Sequence, residues 1–116
     1  MKKSLSREER LRTQNDFNNV FSKHTKSYKA SIPGIALKYC ENSLSWNRIG
    51  IVVSRKFGNA VKRNRVKRHI REIYRNMKHS LRKGFDLVFV VYPGECSYEQ
   101  RRKQCETLCN KANLYT

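Results

Sequence analysis

The chain has 116 residues, with 26 Lys and Arg against 9 Asp and Glu, so its formal net charge is +17. This length supports one domain with a single core. No apolar run approaches the ~20 residues that span a bilayer, and no secretory signal follows the basic start of the chain. A domain this basic repels itself unless a polyanion neutralises it. We therefore expect a nucleic-acid partner rather than a membrane surface, and a cytoplasmic location.

The cysteines show no metal-binding spacing. The chain has four of them, at Cys40, Cys96, Cys105 and Cys109, without a CxxC pair or a zinc template. Free cysteine acts as a small hydrophobic residue, and a reducing compartment disfavours disulfides. We expect reduced, half-buried thiols in preference to metal ligands.

The chain begins with a basic segment over residues 1–12, which we expect to be a flexible arm, and residues 13–116 form the predicted domain. The motif from Thr13 to Asp16 resembles a capping box with Asp in place of Glu, and it predicts a helix to about His24. The apolar patch of this helix comprises Phe17, Val20 and Phe21.

Two strands are predicted next. Residues 25–34 contain Ser, Pro and Gly and indicate a loop. Apolar residues then alternate over 34–41, and again over 47–54, which is typical of half-buried strands. The second strand carries Gly50 and Val52 on its other side, which we expect to be only partly buried.

A long helix follows, with Asn59 as the predicted N-cap and an end near Leu81. Apolar residues recur along it at the spacing of one helical face. They are Val66, Ile70, Ile73, Met77 and Leu81. A second row, roughly 150° around the helix, comprises Asn64, Arg68, Arg71 and Arg75. One side can therefore enter a core while another presents guanidinium groups, whose planar fork suits phosphate.

The cations of this helix are concentrated between residues 62 and 75. They are Lys62, Arg63, Arg65, Lys67, Arg68, Arg71 and Arg75. Glu72 is the one acid among them, and it can pair with Arg68 or Arg75 along the helix. Because acids do not alternate with the cations, we interpret the segment as a phosphate-binding surface rather than a solvated basic face. Asn64 either bonds a ribose or base edge or caps local backbone, and His69 contacts nucleic acid or solvent.

The sequence pattern of the last part of the chain predicts a strand and a helix. The apolar run over 85–92 is typical of a strand buried on both faces, near the middle of a sheet. A capping box from Ser97 to Gln100 begins a helix that ends near Ala112. The order helix, strand, strand, helix, strand, helix indicates an α/β sandwich with a small mixed sheet.

The residues quoted so far resemble a known family. Residues 50–72 read GIVVSRKFGNAVKRNRVKRHIRE, which is similar to the signature of the protein component of bacterial ribonuclease P. Its RNR pattern matches Arg63, Asn64 and Arg65, and the predicted N-terminal helix and the capped last helix also match. The resemblance implies an αβββαβα order in a two-layer α+β sandwich, with one further edge strand near 28–32. It also implies a left-handed βαβ crossover carrying the RNR helix, against the usual right-handed rule.

The resemblance implies an RNA-dependent endoribonuclease that removes the 5′ leader of precursor tRNA. The catalyst would be an RNA subunit that, with the substrate, holds Mg²⁺; the protein would contain no catalytic residue and need no obligate protein partner. The residues implied to bind the catalytic RNA are Arg63, Asn64, Arg65, Lys67, Arg68, Arg71 and Arg75. Those implied to bind the leader are Phe17, Phe21, Tyr39, Arg55 and Lys56.

Alternatives remain at two levels. By spacing alone Phe17 and Phe21 are core residues, whereas the resemblance makes them the floor of a leader cleft where bases stack. Strand register decides whether Lys38 or Tyr39 faces that cleft. The competing functions are a purely structural RNA-binding protein and a self-sufficient metal nuclease. The absence of clustered Asp, Glu or His in the sequence argues against the nuclease.

Overall fold

The computed structural model describes residues 7–11, 17, 18, 20 and 27–116. Its strands are β1 (Ser27–Ile32), β2 (Ile35–Glu41), β3 (Arg48–Val53) and β4 (Phe85–Val91). Its helices are α1 (Ala60–Met77) and α2 (Tyr98–Lys111). Short 3₁₀ turns cover Arg7–Glu9, Arg55–Phe57 and Lys78–Ser80. Residues 17, 18 and 20 are helical, within the predicted first helix.

The four strands form one mixed sheet in the order β1-β2-β4-β3. Strand β2 is antiparallel to β1 and β4, whereas β3 is parallel to β4. The crossover between those parallel neighbours contains α1. The predicted α+β sandwich with a small mixed sheet is confirmed, and β4 lies in the interior of the sheet as its apolar run predicted.

The edge strand β1 lies where the resemblance implied it, so the loop predicted from composition over 25–34 was wrong for Ser27–Ile32. The reason is that β1 buries none of its residues fully. Ser27, Lys29 and Ser31 are exposed, so the strand lacks the apolar alternation of a half-buried strand. Its strand geometry comes from pairing with β2 along its whole length.

Both helices pack on one face of the sheet. All five residues of the predicted apolar stripe of α1 are buried, and Tyr74 joins them. Burial, more than any other cause, raises the pKa of the Tyr74 phenol. Helix α2 adds Cys105, Leu108 and Cys109 to the same core. The main core therefore lies between this helical layer and the sheet.

The opposite face of the sheet carries a smaller cluster. Leu11, Val20, Cys40 and Val88 form it, and Phe17 packs against them. The Leu11 N–H donates to the Ile49 carbonyl at 2.9 Å. Residues 7–11 therefore belong to the folded domain, although they fall within the predicted arm. The predicted capping box over 13–16, Phe21 and the rest of the arm lie outside the described residues.

Local capping fixes the ends of both helices. The Asn59 side chain accepts a hydrogen bond from the Lys62 N–H at 3.0 Å. Asn59 is therefore the N-cap of α1, as the sequence predicted. Ser97 and Gln100 form the reciprocal capping box at the start of α2. Helix α1 ends at Met77 rather than near Leu81, because the chain tightens into the 3₁₀ turn Lys78–Ser80 before Leu81 enters the core.

The four thiols are free. Cys40, Cys105 and Cys109 are buried more completely than predicted, and Cys96 is partly buried. Burial is the largest cause that raises the pKa of Cys105 and of Cys109, each to about 12. These two thiols therefore stay protonated at neutral pH and pack as small hydrophobic groups. No helix in the described part of the chain is long and apolar enough to cross a membrane.

Candidate nucleic-acid interface

The cations of α1 lie on three flanks of the helix, because its buried stripe fixes the rotation of the helix on the sheet. Asn64 and Arg68 are exposed on the side away from the core, with Arg75 in the same row and partly buried. Lys67 and Arg71 face the edge strand β3. Lys62 and Arg65 face the start of α2.

The predicted pairing of Glu72 with Arg68 or Arg75 does not form among the described residues, whose ion pairs lie elsewhere. Lys78, in the 3₁₀ turn that follows α1, pairs with Glu9, with 3.0 Å between its Nζ and the carboxylate oxygen. Arg63 takes a backbone partner, since its Nη1 donates to the Gly58 carbonyl at 2.7 Å. The cationic rows between Lys62 and Arg75 are thus not neutralised by carboxylates within the described chain.

A groove of about 290 Å³ lies where the flank with Lys67 and Arg71 meets the edge of the sheet. We call it the edge groove. Its lining residues are Arg10, Leu11, Phe17, Ile49, Gly50, Ile51, Lys67 and Arg71. The structure therefore brings two predicted groups together, since cations of the RNR helix line the same groove as the aromatic ring of Phe17.

Three cations line the edge groove, namely Arg10, Lys67 and Arg71. Burial is the main cause that lowers the pKa of Arg71, and the charge of Arg10 adds to it. Arginine stays protonated despite such a shift. No carboxylate lines this groove in the described part of the chain. Cations that line one groove create a potential that favours an anionic ligand.

Gly50 lets the Phe17 ring lie directly on the backbone of β3. A Cβ at position 50 would lie 2.5 Å from Phe17 Cε1 and 2.8 Å from Phe17 Cζ. The other four glycines have positive φ, whereas Gly50 does not. Glycine is therefore needed at position 50 because the Phe17 ring approaches the backbone closely, not because the backbone conformation is unusual. The sequence by itself predicts only that the side of β3 carrying Gly50 is partly buried.

Arg55 and Lys56 lie on the 3₁₀ turn that joins β3 to α1, and both side chains are exposed. The Ser54 hydroxyl accepts a hydrogen bond from the Lys56 N–H at 3.3 Å and holds the start of this turn. The Arg63 bond to Gly58 closes its other end. Arg55 and Lys56 therefore lie on a turn that hydrogen bonds hold at both ends, at the carboxyl end of β3.

Tyr39 lies on the other face of the sheet from Phe17. Its ring stacks on Tyr28 at 5.4 Å and meets Phe85 edge-on at 6.3 Å, beside the main core. Strand alternation places the preceding residue, Lys38, on the face of Cys40 and Val88, against which Phe17 packs. Tyr39 and Phe17 therefore lie on opposite faces of the sheet, and Lys38 is the residue of this β2 pair that shares the face of Phe17.

The described residues contain no group of three or more His, Cys, Asp or Glu side chains that could hold a metal ion. The most buried carboxylate, Asp86, is 2% exposed and is engaged by Arg48 through bonds of 2.8 and 2.7 Å. Asn42 donates a third hydrogen bond to it at 3.0 Å. This carboxylate ties the β2–β3 loop to the sheet and is not oriented toward a ligand.

A mixed α+β sandwich with a cationic helix, and with an aromatic ring in a groove lined by cations, is typical of small basic proteins that bind nucleic-acid backbones. The family model described as Ribonuclease P matches residues 5–113. The chain belongs to the ribonuclease P protein family.

Relatives support this assignment over most of the chain. The ribonuclease P protein component of Petrotoga mobilis is 42% identical over 87 residues, which cover 75% of this chain and 71% of the relative. That of Thermotoga maritima is 43% identical over 90 residues, covering 78% and 74%. One from Clostridium botulinum is 36% identical over 112 residues, covering 94% and 98%.

Solved structures show the same fold. The RNase P protein from Thermotoga maritima matches with a TM-score of 0.76 and 32% identity, covering 89% of this chain and 96% of that one. An RNase P protein structure from Staphylococcus aureus matches with a TM-score of 0.84 and 25% identity, covering 93% and 98%. The resemblance identified from the RNR segment is thus confirmed.

We predict that Gly50→Ala destabilises the protein by about 1–3 kcal/mol, because the added methyl group overlaps the Phe17 ring and must displace it. The double variant G50A/F17L should recover most of that loss, since leucine lacks the clashing ring atoms. Urea unfolding monitored by circular dichroism measures both. If Gly50→Ala is as stable as the unmodified chain, Phe17 does not lie on β3.

Proposed function

We propose that this protein is the RNA-binding subunit of ribonuclease P and assists the Mg²⁺-dependent removal of 5′ leaders from precursor tRNA. The observation that carries the proposal is the edge groove, in which Lys67 and Arg71 of the RNR helix lie beside Phe17. A single surface can then hold backbone phosphates and an unpaired base. Family membership supplies the reaction to which that surface is suited.

The catalytic RNA binds along the exposed side of α1 in this proposal. Asn64 and Arg68 form the centre of the binding surface, and Arg65, Lys67, Arg71 and Arg75 extend it on both sides. Arg63 stabilises the start of the helix through its bond to the Gly58 carbonyl. Because the opposite side of the helix is buried in the core, these cations are held at fixed spacing before RNA arrives. Because the helix backbone is already ordered, binding of phosphates costs only the conformational freedom of the side chains.

The leader of precursor tRNA lies against the sheet face that carries Phe17. A base stacked on Phe17 contributes roughly 1–3 kcal/mol whatever its identity, which suits substrates with different leaders. Arg55 and Lys56 bind leader phosphates from their exposed turn, and Lys38 takes the place predicted for Tyr39. Phe21, outside the described residues, remains part of the proposed cleft.

The chemistry belongs to the RNA in this proposal. Mg²⁺ ions held by the RNA subunit and the substrate activate the attacking water and stabilise the leaving oxygen. The protein supplies positive charge that reduces repulsion between the two RNA molecules, so it lowers the Mg²⁺ concentration that the reaction needs. It acts in the cytoplasm and needs no obligate protein partner.

We expect Arg68→Ala to weaken binding of the catalytic RNA and to lower the salt slope of binding by about one, because one phosphate contact is lost. Affinity measured across a series of salt concentrations gives both quantities. Lys103→Ala is the matched control, since Lys103 is an exposed cation on α2. An unchanged slope for Arg68→Ala would remove this residue from the phosphate contacts.

Phe17→Ala should weaken binding of leader-bearing precursor tRNA by the holoenzyme, with mature tRNA barely affected, because stacking on the leader is lost. Binding of the two tRNAs to the same preparation gives the comparison. Equal losses for both tRNAs would indicate a folding defect and contradict a leader contact.

The proposed function itself is tested by single-turnover cleavage of a precursor tRNA by a bacterial ribonuclease P RNA at low Mg²⁺. We expect cleavage at the mature 5′ end to depend on this protein, and the protein alone to be inactive. Tight RNA binding without stimulation would indicate a structural RNA-binding protein instead. Cleavage by the protein alone would place the catalyst in the polypeptide.

A further inference from the structure

A second groove, about 590 Å³ in volume, lies between the N-terminal half of α1 and the start of α2. We call it the interhelical groove. It is lined by Phe57, Lys62, Arg65, Val66 and His69 on one side and by residues 94–97, Gln100 and Arg101 on the other. It shares no lining residue with the edge groove, because the two lie on opposite flanks of α1.

The unusual residue in this groove is Arg101, which is only 4% exposed. Its Nη1 donates one hydrogen bond, to the neutral Gln104 Oε1 at 3.0 Å. By contrast, Arg48 and Arg102 each have carboxylate partners. No ion pair within the described chain includes Arg101. A buried guanidinium is normally paired with an anion, and the described chain supplies none to this one.

The surroundings of Arg101 favour the same ligand chemistry. Lys62 and Arg65 add two exposed cations from α1, and Glu95 is the one carboxylate that lines the groove. The groove also ends at the N-terminus of α2, where the helix dipole is positive. The His69 ring is held edge-on to Tyr98 at 5.4 Å. Three permanent cations thus face a single acid.

The size of the groove indicates more than an isolated phosphate. A volume of about 590 Å³ lies within the range of sites that hold small molecules. Phe57 and Val66 supply an apolar wall beside the cations. We propose that the interhelical groove binds a nucleotide, with its phosphate on Arg101, Lys62 and Arg65 and its base or ribose against the wall formed by Phe57 and Val66.

The nucleotide can be free or can be one unit of an RNA strand, since both present the same phosphate and base. Only the strand version rests on the proposed function. A test on the protein without RNA therefore separates failure of this inference from failure of the ribonuclease P assignment.

The first experiment titrates the full chain with adenosine 5′-monophosphate by isothermal titration calorimetry, with adenosine as the ligand that lacks a phosphate. We expect Lys62→Gln and Arg101→Met each to weaken binding by about tenfold or more, the effect of losing one charge-assisted hydrogen bond. Lys103→Gln, which removes an exposed charge from α2, should bind as the unmodified chain does and so exclude a general charge effect.

The second experiment measures affinity of the same variants for the catalytic RNA. Loss of affinity in Lys62→Gln and Arg101→Met, but not in Lys103→Gln, assigns the groove to an RNA strand. Loss of mononucleotide binding with unchanged RNA affinity assigns it to a free nucleotide. Thermal unfolding shows whether Arg101→Met folds. If that variant does not fold, the result for Lys62→Gln alone decides the test. If neither ligand responds to these substitutions more than to Lys103→Gln, the inference is overturned.

Discussion

The burial of one face of α1 against the sheet is the constraint on which the rest of the interface depends. Val66, Ile70 and Ile73 enter the main core and fix the rotation of the helix. Burying side chains of this size contributes roughly 1.5–3 kcal/mol each, which outweighs any single exposed ion pair. The same rotation then decides which cations face β3, which face α2 and which face solvent.

This arrangement explains how so basic a chain keeps its cations available. Four acids of the described chain pair with cations outside the RNR segment: Asp86 with Arg48, Glu9 with Lys78, and Glu99 and Glu106 with Arg102. These pairs reduce repulsion in the sheet and in α2. The positive potential therefore remains concentrated along α1, where an RNA backbone would replace the missing acids.

The two flanks of α1 differ in chemical character, although both are positive. The edge groove combines exposed Arg71 with the Phe17 ring, which lies on the backbone of β3 at Gly50. The interhelical groove is larger and places a buried guanidinium at the start of a capped helix. In the two proposals made above, one helix therefore separates a stacking surface from a phosphate site while holding both in fixed relation.

The sequence by itself determined the elements whose signals are local. The period of the apolar residues located α1, Asn59 and Ser97 marked helix starts through their own side-chain bonds, and the RNR segment identified the family. Tertiary structure alone decided which sheet face the N-terminal segment covers, and so placed Lys38 rather than Tyr39 on the same face as Phe17. It also formed β1, whose strand geometry comes from pairing with β2, and it buried Arg101 without an ion-pair partner among the residues that the structure describes. Such features depend on contacts between residues distant in sequence, which no local pattern records.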